Sequence, residues 1–141
     1  MIAIDTNVLV HARREEMPKH IDARNLLFDL AERDEPWGLP VFCIGEFLRV
    51  VTHPRIFSLP TSLEDALQGI HILLSSPSAQ LLTPGAGYWP ILRQVLLQSG
   101  ITGNGVFDAQ IAALCIEHNV EALITEDRDF RRFDNLQTRS I

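Results

Sequence analysis

A chain of 141 residues, 46% hydrophobic and 21% charged, is long enough for one sizeable core and has the balance of a globular domain, which excludes a disordered one. Its net charge of −6 argues against a protein that coats nucleic acid without specificity. No apolar run reaches the roughly 18 residues of a membrane span, and the opening "MIAIDTNVLV" lacks the basic start of a secretory signal.

In chain order, "IAID" (residues 2–5) reads as a short apolar strand that stops at Asp5. "TNVLVHARRE" follows with Val8, Leu9 and Ala12 at helical spacing, and a second helix over about 20–34 places Ala23, Leu26, Leu27, Leu30 and Ala31 on one face. "EPWGLPVF" combines turn chemistry with a candidate short strand and leads into a helix over about 42–52. Pro54 closes that helix, because proline disfavours the α conformation just before it. A helix over about 62–75, capped by Thr61 or Ser62, turns Leu63, Leu67, Ile70 and Leu74 inward. "AQLLTPG" is a strand, and residues 87–99 form a helix with Trp89, Leu92 and Leu96 at core spacing. "VFDAQIAALCIEHN" is a helix, "EALIT" a strand and "LQTRSI" a candidate edge strand. Strands separated by helices imply parallel crossovers, hence an α/β sandwich over 1–141 with no repeat or linker.

The acids stand out against this outline. Asp5 ends an apolar strand, and in open parallel sheets ligands bind beyond the strands' carboxyl ends; its simpler role is to cap the following helix. Glu46 interrupts "VFCIGEFLRVV", where a carboxylate costs several kcal/mol unless paired or metal-bound; Arg49, at i+3, is the simpler partner. Asp108 falls in the first turn of its helix, where it complements the dipole. After "ALIT" come Glu126, Asp127 and Asp129, of which one could cap the turn before Phe130. Each acid has a simple explanation, but their joint placement has none. A parallel sheet gathers its strand ends on one edge, so Asp5, Glu46, Asp108 and Asp127 are expected to converge. Four carboxylates without His or Cys suit a hard cation, Mg²⁺ or Mn²⁺, rather than zinc.

At this point the sequence resembles a known family. "IDTNVLV" with Asp5, "GEFLRVVTHPRIF" with Glu46, "GNGVFDAQIAAL" with Asp108 and "LITEDRDFRRF" with Asp127 are similar to the PIN-domain ribonucleases, and more narrowly to the VapC toxins of bacterial toxin–antitoxin pairs. The resemblance covers about residues 2–136, including "THPRIF", "SLEDAL" and the "TPG…W" segment before "ILRQVL". It implies a PIN-like three-layer sandwich with a short central parallel sheet flanked by helices. It also implies an endoribonuclease using Mg²⁺ or Mn²⁺ on single-stranded or looped RNA, with Asp5, Glu46, Asp108 and Asp127 as catalytic and metal-binding acids. Thr6, Asn7, Thr125 and Asp129 would support them. Such proteins are usually homodimers, held inactive by a VapB-like antitoxin whose C-terminal segment wraps the toxin. Many relatives read Gly-Asn-Leu-Val and a polar residue before the Asp. Here Gly105 replaces the Leu and Phe107 precedes Asp108, so the cleft rim differs.

The remaining residues have plainer readings. Arginine outnumbers lysine eleven to one, and Arg13, Arg14 and Arg49 are candidates for phosphate contacts, although solvated helix ends would carry the same residues. The five histidines lack the i,i+4 pair of a zinc motif and read as structural or surface. Trp37, Trp89 and the phenylalanines read as core and interface. Cys43 and Cys115, each in apolar context, read as reduced core residues of a cytoplasmic protein. Two other classes of function, phosphotransfer in either of two forms and noncatalytic binding, fit the acids less well. A receiver-type phosphotransfer domain wants a lysine at a strand end, whereas the one lysine, Lys19, precedes a helix. A haloacid-dehalogenase-like phosphatase wants a second Asp where Asn7 stands. A noncatalytic RNA- or protein-binding module would gain nothing from four carboxylates.

Overall fold

Five short strands alternate with six helices in the computed structural model, which describes residues 1–141. They are β1 (Ile2–Ile4), α1 (Thr6–Arg13), α2 (His20–Glu32), β2 (Trp37–Pro40), α3 (Val41–Val51), α4 (Leu63–Leu74), β3 (Ala79–Leu82), α5 (Tyr88–Ser99), α6 (Gly105–Glu117), β4 (Ala122–Ile124) and β5 (Thr138–Arg139). A 3₁₀ turn, Arg128–Arg132, lies between the last two strands. The sheet order is β3-β2-β1-β4-β5 and every neighbouring pair is parallel. The central strands are buried along nearly their whole length. Helices therefore cover both faces of the sheet, as a three-layer α/β sandwich requires.

The order of the strands positions the site. From β1 the chain runs outward through β2 and β3, then returns to β4 on the opposite side of β1. The gap between the β1 and β4 ends is thus the switch point of the sheet, where the crossover helices diverge and leave a crevice. Ile4 pairs in register with Ile124, which sets Asp5 opposite Thr125 at that crevice.

The candidate strand in "EPWGLPVF" is β2. Trp37 and Leu39 are fully buried, and a side chain on Gly38 would strike Leu82 at 2.7 Å, so β2 and β3 pack closely there. Pro40 ends β2 and serves as the N-cap of α3, a position whose missing N–H removes no helical hydrogen bond. The core is built from α1, α3, α6 and the sheet, with Val8, Leu9, Cys43, Phe47 and Ala109 to Cys115 among its members. Cys43 and Cys115 are buried and free, in keeping with their reading as core thiols.

Two helix faces differ from expectation. In α4 the buried positions are Ala66 and Ile70, while Leu63 and Leu67 face outward. This helix carries two apolar stripes, and the one containing the small Ala66 is the one that packs. In α5, Leu92 and Val95 are buried and Trp89 is exposed, so Trp89 does not belong to the core. Two of the histidines hold loops in place: His11 Nδ1 accepts the Lys19 N–H (3.2 Å), and His118 Nε2 lies 2.9 Å from the Thr83 carbonyl; His71 is on the surface.

Candidate functional site

Asp5 follows β1 and is only 3% exposed. It caps α1 through the Thr6 N–H, which donates to Oδ1 at 2.7 Å. The capping role and a role in the crevice are therefore compatible. Oδ2 accepts the Thr125 hydroxyl at 2.7 Å and a short hydrogen bond from Asn7 Nδ2. The Cys43 thiol approaches Oδ1 at 3.9 Å. Burial, and then the charge of Asp5, push the Cys43 thiol well up, so it stays protonated and donates. Burial likewise raises Asp5 to about 7, against the lowering effect of the Thr125 and Thr6 hydrogen bonds.

Thr125 is the hub beneath these carboxylates. Its Oγ1 donates to Asp5 and accepts from Asn7 Nδ2 (2.9 Å) and from the Asp127 N–H (3.0 Å). Asn7 Oδ1 in turn accepts the Glu126 N–H at 3.1 Å. The turn after β4 is thereby tied to the start of α1 by side chains from both strand ends. Thr6 reaches the other way, and its hydroxyl donates to Glu46 Oε2 on α3 at 2.8 Å. Arg49 stands 4.0 Å from Glu46 at i+3, too distant for a firm hydrogen bond. The simpler Glu46–Arg49 pairing is thus present but loose.

Asp108, Asp127 and Asp129 each offer an oxygen within 4.8 Å of the others. Asp127 caps the 3₁₀ turn by accepting the Asp129 N–H at 2.8 Å, and this turn swings Asp129 back toward α6. Burial raises Asp108 to about 6, reinforced by the charges of Asp127, Glu46 and Asp129 and opposed by Arg132. A cleft of about 1000 Å³ opens over Glu46, Asp108 and Asp129. A smaller one of about 220 Å³ contains Asp5, Thr6, Asn7, Glu46, Asp108 and Asp127. Glu46 and Asp108 line both, so the two form one acidic crevice along the β1 and β4 ends.

The structure sorts the remaining site candidates. Arg49 lines the larger cleft. Arg14 is engaged elsewhere: it bonds Glu16, the Thr61 hydroxyl and the Leu59 carbonyl, and its guanidinium covers the Phe57 ring at 4.3 Å. Arg13 lies 3.6 Å from Asp65 of α4. Neither lines the crevice at the β1 and β4 ends; both lie on the α1–α4 side of the molecule. Glu126 also turns away, accepting the Ile141 N–H at 2.7 Å and pairing with Lys19 at 3.0 Å. Sequence reasoning missed Arg132, which lines the larger cleft and pairs with Asp129 at 2.9 Å. Its i+3 spacing from Asp129 was the available signal.

Comparison with known proteins gives a consistent picture. Residues 2–136 match the PIN domain family. The chain is 43% identical to Ribonuclease VapC43 of Mycobacterium tuberculosis over 139 residues, which covers 99% of this chain and 94% of that protein. It is 31% identical to Ribonuclease VapC25 of the same organism, covering 97% and 96%. Among solved structures, VapBC2 from Rickettsia felis bound to a promoter DNA fragment superposes with a TM-score of 0.68 at 28% identity, covering 99% of this chain and 98% of that one. The sarcin-ricin loop cleaving toxin VapC20 of Mycobacterium tuberculosis shares the fold, with a TM-score of 0.68 at 17% identity and 93% of each chain covered.

Proposed function

Because this chain belongs to the PIN-domain family and to its VapC ribonucleases, we propose that it is a divalent-metal-dependent endoribonuclease and the toxin of a type II toxin–antitoxin pair. The observation that carries the reading is the single acidic crevice at the β1 and β4 ends, formed by Asp5, Glu46, Asp108, Asp127 and Asp129.

The donor set suits Mg²⁺ or Mn²⁺. All the donors are oxygens, and Asp5 and Asp108 are both raised because burial and neighbouring carboxylates oppose their ionisation. Asp108, Asp127 and Asp129 would hold the ion from the open side, with Asp5 beneath and Glu46 across the crevice. When bound, such an ion neutralises phosphate charge and acidifies a coordinated water. The chain's own residues set the geometry for this. Thr125 and Asn7 fix Asp5, and Thr6 fixes Glu46 in reach of the cleft, where it would orient the attacking water and take its proton. Arg49 and Arg132 line the same cleft, with Arg132 offering a planar fork to phosphate.

The partners follow from the same reading. A VapB-like antitoxin would cover apolar side chains left exposed on α2, the loop between α3 and α4, and α4, namely Phe28, Leu59, Leu63 and Leu67. The working form would be a homodimer. No helix is long and apolar enough to cross a membrane.

The test is incubation of the purified, partner-free chain with total RNA in Mg²⁺, Mn²⁺ or EDTA, beside Asp108→Asn. Discrete fragments that need metal and are absent from the folded variant are expected. Cleavage persisting in EDTA, or in the folded variant, overturns the reading. A folded chain that binds the ion yet cuts nothing is a binding module instead.

A further inference from the structure

Phe107 is the residue of the cleft that packing does not explain. It occupies the first turn of α6, a helix otherwise buried from Ala109 through Cys115 apart from the half-buried Gln110. Yet its ring is 64% exposed, and it lines the larger cleft beside Asp108. Leaving a phenylalanine in water forgoes roughly 1.5–3 kcal/mol of burial. The sequence reading placed the phenylalanines in core and interface, and Phe130 and Phe133 do pack edge to face in the core. Phe107 does not.

Its surroundings indicate what the ring faces. Arg49 of α3 and Arg132 of the 3₁₀ turn line the same cleft. Arg132 donates its Nε–H to the Asp129 backbone oxygen at 3.0 Å and pairs with the Asp129 carboxylate through Nη2 at 2.9 Å, and so is held near the acids. Gly105, two residues back, carries no side chain; a Cβ there would stand 2.6 Å from Ile101, which lines the cleft, and 3.9 Å from Arg132 Nη1. A flat apolar ring that shares its cleft with two guanidinium groups and with carboxylates suited to a hard cation matches one repeating chemistry: a base, its two phosphates and a metal-bound phosphodiester.

Magnitudes favour stacking over charge as the source of affinity. The chain is acidic overall, with a net charge of −6, and only two arginines line the cleft. Two phosphate contacts give a single-strand salt slope of only about −1.4, since each contributes about −0.7. Base-on-aromatic stacking is insensitive to salt and tolerant of sequence. It also requires an open base face, which a base inside an A-form helix does not offer.

We propose that Phe107 is the base-stacking platform of the cleft, taking one unpaired nucleobase beside the phosphate presented to Asp108 while Arg49 and Arg132 hold flanking phosphates. The proposal rests on the ribonuclease reading above. It makes Phe107 a determinant of which RNA is accepted: a segment with at least one unpaired base at the cut.

The experiment titrates a short single-stranded oligoribonucleotide carrying one 2-aminopurine into the partner-free chain in Ca²⁺, with the annealed duplex as control and RNA cleavage in Mg²⁺ or Mn²⁺ measured separately. Stacking quenches the probe on the parent chain, the duplex gives no quenching, and the salt slope is about −1.4. Phe107→Ala loses the quenching and binds roughly 5–150-fold more weakly, the range of 1–3 kcal/mol per stacked base. Phe107→Leu, apolar but not flat, behaves like Phe107→Ala, whereas Phe107→Trp keeps both quenching and affinity. All three melt like the parent, because the ring is exposed. Binding within twofold of the parent by Phe107→Ala overturns the proposal. So does an effect of Phe107→Ala on dimer mass with RNA binding unchanged, which would assign the ring to a protein interface. A parent that cleaves RNA equally well with every Phe107 variant, none altering binding, sinks the platform and leaves the nuclease. A parent that quenches but never cleaves sinks the nuclease and leaves the platform.

Discussion

Asp5 and Asp127 follow neighbouring parallel strands and reach the same crevice, yet the sheet treats them differently. Asp5 is buried, with Thr6, Asn7, Thr125 and Cys43 all directed at its two oxygens. Asp127 is exposed, and its carboxylate accepts one hydrogen bond, from the Asp129 N–H. The register is responsible. Asp5 lies one residue beyond Ile4, opposite Thr125, where α1 and α3 close over it, whereas Asp127 lies two residues farther out on a turn. One wall of the crevice is therefore fixed before any ligand arrives, while the other is free to adjust. That division suits a site that must hold a cation rigidly from beneath and admit a polymer from above.

The largest expected effect separates the two walls. Asp5→Asn on the fixed wall keeps the fold and reduces RNA cleavage below detection, whereas Asp129→Asn on the open wall loses roughly tenfold against the parent. Gel assays of the three proteins at matched concentration decide the matter. Equal losses would mean that the walls act as one unit.

Next in size is the pH dependence of stability without metal. An unfolded Asp5 titrates near 3.8 and the folded one near about 7, so between these values the folded chain keeps a proton that the unfolded chain has released. The contribution is therefore fully present below the unfolded value and is lost as pH rises through the folded one, on the order of 4 kcal/mol for the whole shift. Asp108, raised to about 6, adds with the same sign. In EDTA the melting temperature should fall from about pH 5 to about pH 8. Mg²⁺ should restore it at the upper end, and Asp5→Asn should flatten the profile. A melting temperature that rises with pH in EDTA would show that Asp5 ionises at no cost in the folded chain.

Thr125→Val tests the fixed wall without touching a carboxylate. It removes the hydroxyl shared by Asp5, Asn7 and the Asp127 N–H at nearly constant volume. Loss of such an orienting partner typically weakens metal affinity roughly 10–100-fold, measurable by Mn²⁺ titration calorimetry. Unchanged affinity would mean that the burial of Asp5 alone holds it in place.

The strand and helix order was legible because apolar runs alternate with turn chemistry, and the strand ends were marked by the acids themselves. The convergence of Asp5, Glu46, Asp108 and Asp127 followed from parallel topology, which places strand ends on one edge. Local periodicity was less informative where a helix is only partly covered. In α4 the spacing Leu63, Leu67, Ile70 is a sound apolar stripe, but the packed stripe runs through Ala66, and nothing within the helix says which neighbour it meets. The closeness of Asp129 to Asp108 depends on the 3₁₀ turn that Asp127 caps, and Arg132 enters the cleft through the same turn. For Arg14, at the end of α1, the sequence left phosphate contact and a helix-end role both open, and only the fold shows its guanidinium on the Thr61 hydroxyl and the Leu59 carbonyl.

The smallest effect concerns the puzzle that "ITEDRD" presents, three acids within four residues. They are not one cluster. Beyond β4 the chain bends at Glu126: Thr125 and Asp127, joined by the Asp127 N–H on the Thr125 hydroxyl, face the crevice, and Glu126 faces the opposite way, toward Lys19 and Ile141. Burial opposes the ionisation of Glu126, but the Ile141 N–H and Lys19 outweigh it and hold its carboxyl below the usual range. Its contribution is thus present above the ordinary glutamate value and fades as pH falls through the lowered one. Because the pair is partly solvated, Glu126→Gln should cost less than about 1 kcal/mol in chemical denaturation. It should leave cleavage within about twofold, since the bond that Asn7 receives comes from the Glu126 backbone and survives the change. Asp127→Asn, one residue on, removes a carboxylate from the crevice itself. Cleavage lost in Glu126→Gln with the fold intact would place all three acids on one face, and the alternation that relieves their repulsion would be wrong.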